Sequence, residues 1–307
     1  MSSRDLRSTG VFIALAVALS WLVALPLWFG GGLADPWFPV VSVAMMTTPA
    51  IAALVVVRFV ERPQRMTWTL GLWPLRPARR VLGWAGLGIG VSIALVLVAL
   101  PVGALLGVYP ADFTGFSAFR QLLDERTGSA ELPMPVGALI AVQLALIPLA
   151  ALLNLVPALG EELGWRGWLL PKLMPLGPLP ALLITGVIWG GWHAPLILLG
   201  YNYPDAPGWL GVTAMIGMCI LVGAVFGWLR LRSGSVWPAA LAHAAFNAAA
   251  GSYLLFAEAG EHVDTTQATI LGWSGWIVPL VLVVILVGTG RFAPAERPPG
   301  PPDPVDR

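Results

Sequence analysis

Two adjacent carboxylates, Glu161 and Glu162, end the long apolar run from Val136 to Leu159, and Trp165 and Arg166 follow at once. Two later apolar runs each carry one histidine: His193 lies four residues after Trp189, and His243 lies four residues before Asn247. On a helix, residues four apart share a face, so Glu162 and Arg166 can form a charge-assisted pair. That leaves Glu161, turned away from the pair, free to face something else. If the three helices meet, Glu161, His193, His243 and Asn247 line one polar cavity. The chemistry such a set supports is hydrolysis: a carboxylate beside an imidazole can hold a water and take its proton. An imidazole with an asparagine amide can donate to the oxyanion of a tetrahedral intermediate. Glu161, His193 and His243 also form a legitimate zinc ligand set, and residue type alone does not separate a metal-held water from a glutamate-held one.

The elements that must position these groups are membrane helices. Of 307 residues 57% are apolar, 11% are charged, and the mean hydropathy is +0.80. A soluble domain carries about 25% charged residues, so this composition excludes a water-soluble globule. Crossing the hydrocarbon takes roughly 20 apolar residues. Windows of that kind begin near Val11, Phe38, Val81, Val136, Ala181, Gly211, Val236 and Ile270. They predict an all-α, polytopic membrane bundle of about eight transmembrane helices. Residues 1–80 read as a two-helix segment with a basic loop, and 81–290 as the main bundle with its chemistry between about 136 and 255. The proline-rich 291–307 read as a disordered tail. The first span is too long for a cleaved leader to be the preferred reading.

Orientation follows the positive charges. With the N-terminus inside, alternation over eight spans places 15 of the 17 basic residues inside and only Arg120 and Arg126 outside. Both termini are therefore expected in the cytoplasm of a plasma membrane of bacterial type. Counting inward, His193 falls about 12 residues into its span, or roughly 18 Å, with His243 and Asn247 at comparable depth. That places the site in the inner half of the membrane, open to the cytoplasm. The basic residues are topological, so no nucleic-acid partner is implied. A single cysteine, Cys219, excludes an intrachain disulfide. The stretch Glu61–Arg80, with Trp68, Leu70, Leu72 and Trp73, reads as a topogenic loop or as an interfacial segment. Gly186, Gly190 and Gly191 would permit close helix approach near His193.

Other membrane proteases fall by elimination: there is no H-E-x-x-H, no aspartate within a span and no G-x-S-x-G elbow. Glutamate is left as the candidate base. At these residues the chain resembles the CPBP family, the CAAX-protease and bacteriocin-processing (Abi) intramembrane proteases. That family includes prenyl-protein CAAX endopeptidases and lysostaphin-resistance-like proteins. Its E-E-x-x-x-R motif is matched by Glu161, Glu162 and Arg166. Its aromatic-x-x-x-His motif is matched by Trp189 and His193, with tryptophan for the commoner phenylalanine, and its H-x-x-x-N motif by His243 and Asn247. The resemblance covers about Val136 to Leu255. It implies that Glu161 activates the water and His193 helps bind it, that His243 and Asn247 support the oxyanion, and that Glu162 and Arg166 brace the site. The implied partner is a membrane-tethered protein or peptide; a prenylated substrate is not implied, and zinc stays open.

Each group also has a simpler use. Glu162 with Arg166 can be a helix-end ion pair, His193 a packed histidine, and His243 with Asn247 glue between helices. Trp165 and Trp168 suit the interfacial belt, and His262, in an acidic loop, has no role. A non-catalytic scaffold or immunity-type protein, or a transporter with a proton relay, would use the same residue types. The conjunction of the three motifs in order favours an intramembrane endopeptidase.

Overall fold

The computed structural model describes residues 2–73, 75–128 and 134–293. Of the tail 291–307, expected to be disordered, residues 291–293 are ordered, with Phe292 buried and the Arg291 backbone bonded to Leu286, and those from 294 onward lie outside the described residues. Among those described, no strand forms, as the hydrocarbon requires of a chain that must satisfy its backbone polar groups within helices. Eight helices coincide with the eight apolar windows. They are α1 (Ser3–Phe29), α2 (Phe38–Val55), α3 (Ala78–Leu105), and, after a short surface helix α4 (Ser117–Thr127), α5 (Val136–Glu162). The rest are α6 (Pro178–Trp192), α7 (Gly208–Ser233), α8 (Trp237–Ala250) and α9 (Trp273–Gly288). The protein is a polytopic helical membrane bundle.

The spans are not of equal length. Among the described residues, five helices are long and apolar enough to cross a membrane. By contrast α6, α8 and α9 have 15, 14 and 16 residues, or roughly 21–24 Å of rise against a hydrocarbon core of about 30 Å. The causes are local. Pro195 lies just beyond α6, and a separate short helix, Ala194–Ile197, follows His193. α8 tightens into a 3-10 turn, Gly251–Leu255.

Helix ends sort into two groups. At one, Arg4 reaches the carbonyl of Glu61, Lys172 pairs with Asp5 and Glu61, Arg80 donates to the carbonyl of Arg232, and Arg232 to that of Ala293. At the other, Trp28 meets Pro195, Tyr109 meets Tyr253, and Tyr203 meets Leu271. The first, the basic end, holds both ends of the described chain, as an even number of crossings requires. The second, the acidic end, carries Asp35, Asp112, Asp205, Glu258, Glu261 and Asp264. There Asp112 is held down to about 2 by hydrogen bonds from the Gly115 backbone and from Ser117.

Within the stretch Glu61–Arg80, residues 70–72 dock against the basic end. Leu70 is buried, the Gly71 carbonyl accepts from the Val236 backbone, and that of Leu72 from the Trp237 indole. Close approach between helices rests on glycine. A Cβ on Gly186 or Gly190 would strike the α7 backbone at Ile220 or Ile216, whereas Gly191 has open space. A Cβ on Gly164 would stand 2.5 Å from Pro49 Cβ and 2.8 Å from its carbonyl carbon. Gly164→Ala is therefore expected to cost about 1–3 kcal/mol, read as a lower fraction of folded protein on heating in detergent. Gly83→Ala, which meets nothing within 4 Å, should match wild type or exceed it.

Candidate active site

Glu161 and Glu162 are the last residues of α5, and the chain runs on from them into a π-helical segment, Leu163–Leu169. Such widened turns accompany functional sites. Pro157 and Gly160 precede this segment in the last turns of α5. Here Arg166 lies 1% exposed and Glu162 0%. One Glu162 oxygen, Oε1, accepts from Arg166 Nη1 at 2.7 Å and from His243 Nδ1 at 2.9 Å. The guanidinium also lies over the Trp189 ring, 4.2 Å from its centroid, and faces Phe226 at 5.4 Å. The bracing pair expected from i, i+4 spacing therefore does more than brace: it orients a histidine from α8, a contact across 81 positions that no local pattern reveals.

Glu161 takes no part in that pair. It is 2% exposed, and its Oε2 accepts from the Trp189 indole at 2.7 Å. Trp189 thus serves both carboxylates, one through its N–H and the other through the cation on its face. His193 sits at the C-terminal boundary of α6, and its Nδ1 lies 2.9 Å from the Trp189 carbonyl. A carbonyl only accepts, so Nδ1 carries the hydrogen and Nε2 keeps its lone pair. The same logic at His243, whose Nδ1 faces the Glu162 carboxylate, leaves its Nε2 turned away from that carboxylate. The His243 ring stacks on Phe226 at 5.5 Å and meets Trp189 edge-on at 5.4 Å.

Glu161, Trp189, His193, His243 and Asn247 line one cavity of about 310 Å³. Glu162 and Arg166 lie behind its wall. Residues that the motif reading did not single out share the lining: Met45 and Met46 of α2, Met215 and Met218 of α7, Asn154 of α5, and Tyr201 and Asn202 of the loop after α6. Asn154 carried a usable signal, since it lies seven residues before Glu161 and is, with Gln143, one of two amides in its apolar run. Its side chain donates to the Ala150 carbonyl. The methionines and Tyr201 carried none.

The lining of the cavity is not symmetric between the two ends. No basic-end residue lines the cavity. From Glu161 toward that end, Trp165, Trp168, Leu169 and Leu170 are all buried, as is Val236 at the start of α8. The lining extends instead to Ser42, Tyr201, Asn202, Ala250 and Leu271, which are partly exposed at the acidic end. The depth count assumed full spans, but α6 stops at His193 and α8 at Ala250, so acidic-end loops fold down toward the site.

Donor placement does not favour the zinc set. Among the described residues, no three His, Cys, Asp or Glu side chains gather as a metal-binding group, and one Glu161 oxygen is taken by the Trp189 indole. The residues present do not fit a resident metal ion.

Fold and site together define a helical integral membrane protein with a cluster of ionisable groups buried at membrane depth around a polar cavity. Residues 143–249 match the family described as type II CAAX prenyl endopeptidase Rce1-like. CAAX prenyl protease 2 of Methanococcus maripaludis is 30% identical over 92 residues, which are 28% of this chain and 33% of that protein. The match thus spans about a third of the length of that curated relative. These two findings support the CPBP and CAAX-protease resemblance read from the motifs, and residues 143–249, which carry that resemblance, contain every motif residue.

Removing one partner of a buried ion pair leaves an uncompensated charge and costs about 3–5 kcal/mol. Glu162→Gln and Arg166→Met should each lose stability of that order in unfolding measured in mixed micelles. The double variant should lose clearly less than the sum, because each single change already removes their shared contact.

Proposed function

We propose that the protein is an intramembrane endopeptidase that hydrolyses a peptide bond in a membrane-associated protein or peptide, with Glu161 activating the water. The observation that carries this reading is the Glu161 carboxylate, buried and outside the Glu162–Arg166 pair, sharing a cavity with two oriented imidazoles and an amide. The motif resemblance and the family match agree with it.

On this reading a water sits between a Glu161 oxygen and Nε2 of His193, which can accept one of its hydrogens. Glu161 takes the other proton as the water oxygen attacks the scissile carbonyl carbon, and the carbonyl π electrons move onto oxygen. The Asn247 amide donates to that oxyanion. His243, oriented by Glu162 at Nδ1, stands beside it in the cavity lining. On collapse the proton held by Glu161 passes to the leaving amine, which restores the carboxylate. Trp189 fixes one Glu161 oxygen, so the other is presented to the water. The methionines of the lining supply an adaptable apolar wall for side chains of the substrate.

A positioned general base contributes about 10²–10⁴-fold. Glu161→Gln should therefore lower cleavage of a membrane-inserted peptide library by purified protein at least that far. It keeps the shape of the side chain, so the folded fraction should stay near wild type. Undiminished cleavage by Glu161→Gln rules the proposal out. Cleavage should also survive exhaustive chelation, because no step passes through a metal.

A further inference from the structure

The cavity has a direction, and the chain has an orientation read independently of it. Thirteen described basic residues lie on segments at the basic end or just inside it: Arg4, Arg7, Arg58, Arg62, Arg65, Arg76, Arg79, Arg80, Arg166, Lys172, Arg230, Arg232 and Arg291. The acidic end has Arg120 and Arg126 alone. An excess of Lys and Arg in short loops marks the cytoplasmic side. The cavity is sealed toward that side by Trp165, Trp168, Leu169, Leu170 and Val236, each at most 2% exposed. It extends the other way, to Tyr201, Asn202 and Leu271. These last residues are tied to the acidic-end loops, since Tyr203 donates to the Leu271 carbonyl and Thr265 to that of Asn202.

We propose that the cavity is loaded from the extracytoplasmic side, and that its substrate is a peptide segment of an exported or externally exposed membrane-anchored protein. The substrate half of this inference rests on the endopeptidase reading; the position of the mouth does not. A polar site needs a hydrated route, because a carboxylate and two imidazoles in a dry bilayer are costly. The shortened α6 and α8 provide that route at the acidic end. A cytoplasmic C-terminal tail would have to cross the tryptophan and leucine layer to reach Glu161. A segment anchored in the outer leaflet meets no such layer.

The test uses the full-length protein carrying Cys219→Ala in bacterial spheroplasts, with a charged, membrane-impermeant maleimide. Single cysteines are introduced at the mouth (Leu271→Cys, with Tyr201→Cys as a second variant), at the acidic surface (Glu258→Cys) and at the basic surface (Arg79→Cys). Mouth and acidic-surface cysteines should label in intact spheroplasts, and Arg79→Cys only after lysis. Labelling of Arg79→Cys from outside, or of both folded mouth variants only after lysis, overturns the proposal. A parallel assay follows two membrane-tethered reporters with the same degenerate peptide, one exported and one cytoplasmic. Glu161-dependent trimming of the exported reporter alone is expected, and trimming of the cytoplasmic one alone overturns the substrate assignment. If neither is trimmed while the labelling pattern holds, the endopeptidase reading and the substrate class fall, and the position of the mouth stands.

Discussion

One oxygen of Glu162 accepts hydrogen bonds from two sides, from Arg166 one turn along its own chain and from His243 on α8. The carboxylate has no exposed surface, so neither contact can be exchanged for water. The remaining geometry depends on that constraint. Arg166 must stay beneath Trp189, which fixes the indole N–H that holds Glu161. The Trp189 carbonyl in turn fixes His193. A buried ion pair is weak support for stability in itself, since desolvation offsets much of the attraction. Its role here is to specify which way two histidines and one glutamate point.

The second constraint is shape. Glycines let α6 approach α7 and let the π-helical segment approach α2, so charged side chains lie against aromatic faces with little space between them. α6 and α8 then end short of the acidic surface. A bundle of full-length spans would leave the same residues dry; the shortened ones leave a cavity and a way into it. Function and fold meet in that economy of length, because the break at His193 both ends a helix and frees its Nδ1 to cap the Trp189 carbonyl.

Much of this was legible in the chain. Eight apolar windows located eight helices, and charge sorting between loops anticipated which ends lie together, since both readings rest on hydrocarbon as the solvent. The i, i+4 spacing gave the Glu162–Arg166 contact, and the three motifs contain both the polar groups that line the cavity and the ion pair behind its wall. Two features were out of reach. The π-helical segment after Glu162 has no periodic signature of its own, and the Glu162–His243 contact joins helices whose packing the sequence does not encode locally. Helix length failed for a physical reason: hydropathy reports what lipid tolerates, whereas Pro195 and the turn at Gly251 decide where α6 and α8 stop. The cavity lining accordingly reaches residues of the acidic end.

The state of the His243 ring reports most directly on the arrangement at its centre. Nitrogen NMR of protein labelled with ¹⁵N-histidine, which has three histidines to assign, distinguishes a protonated from a bare Nδ1. A hydrogen on Nδ1 of His243, with a resonance that moves on Glu162→Gln, is the expected result. A bare Nδ1, or a His243 signal indifferent to Glu162→Gln, would contradict it.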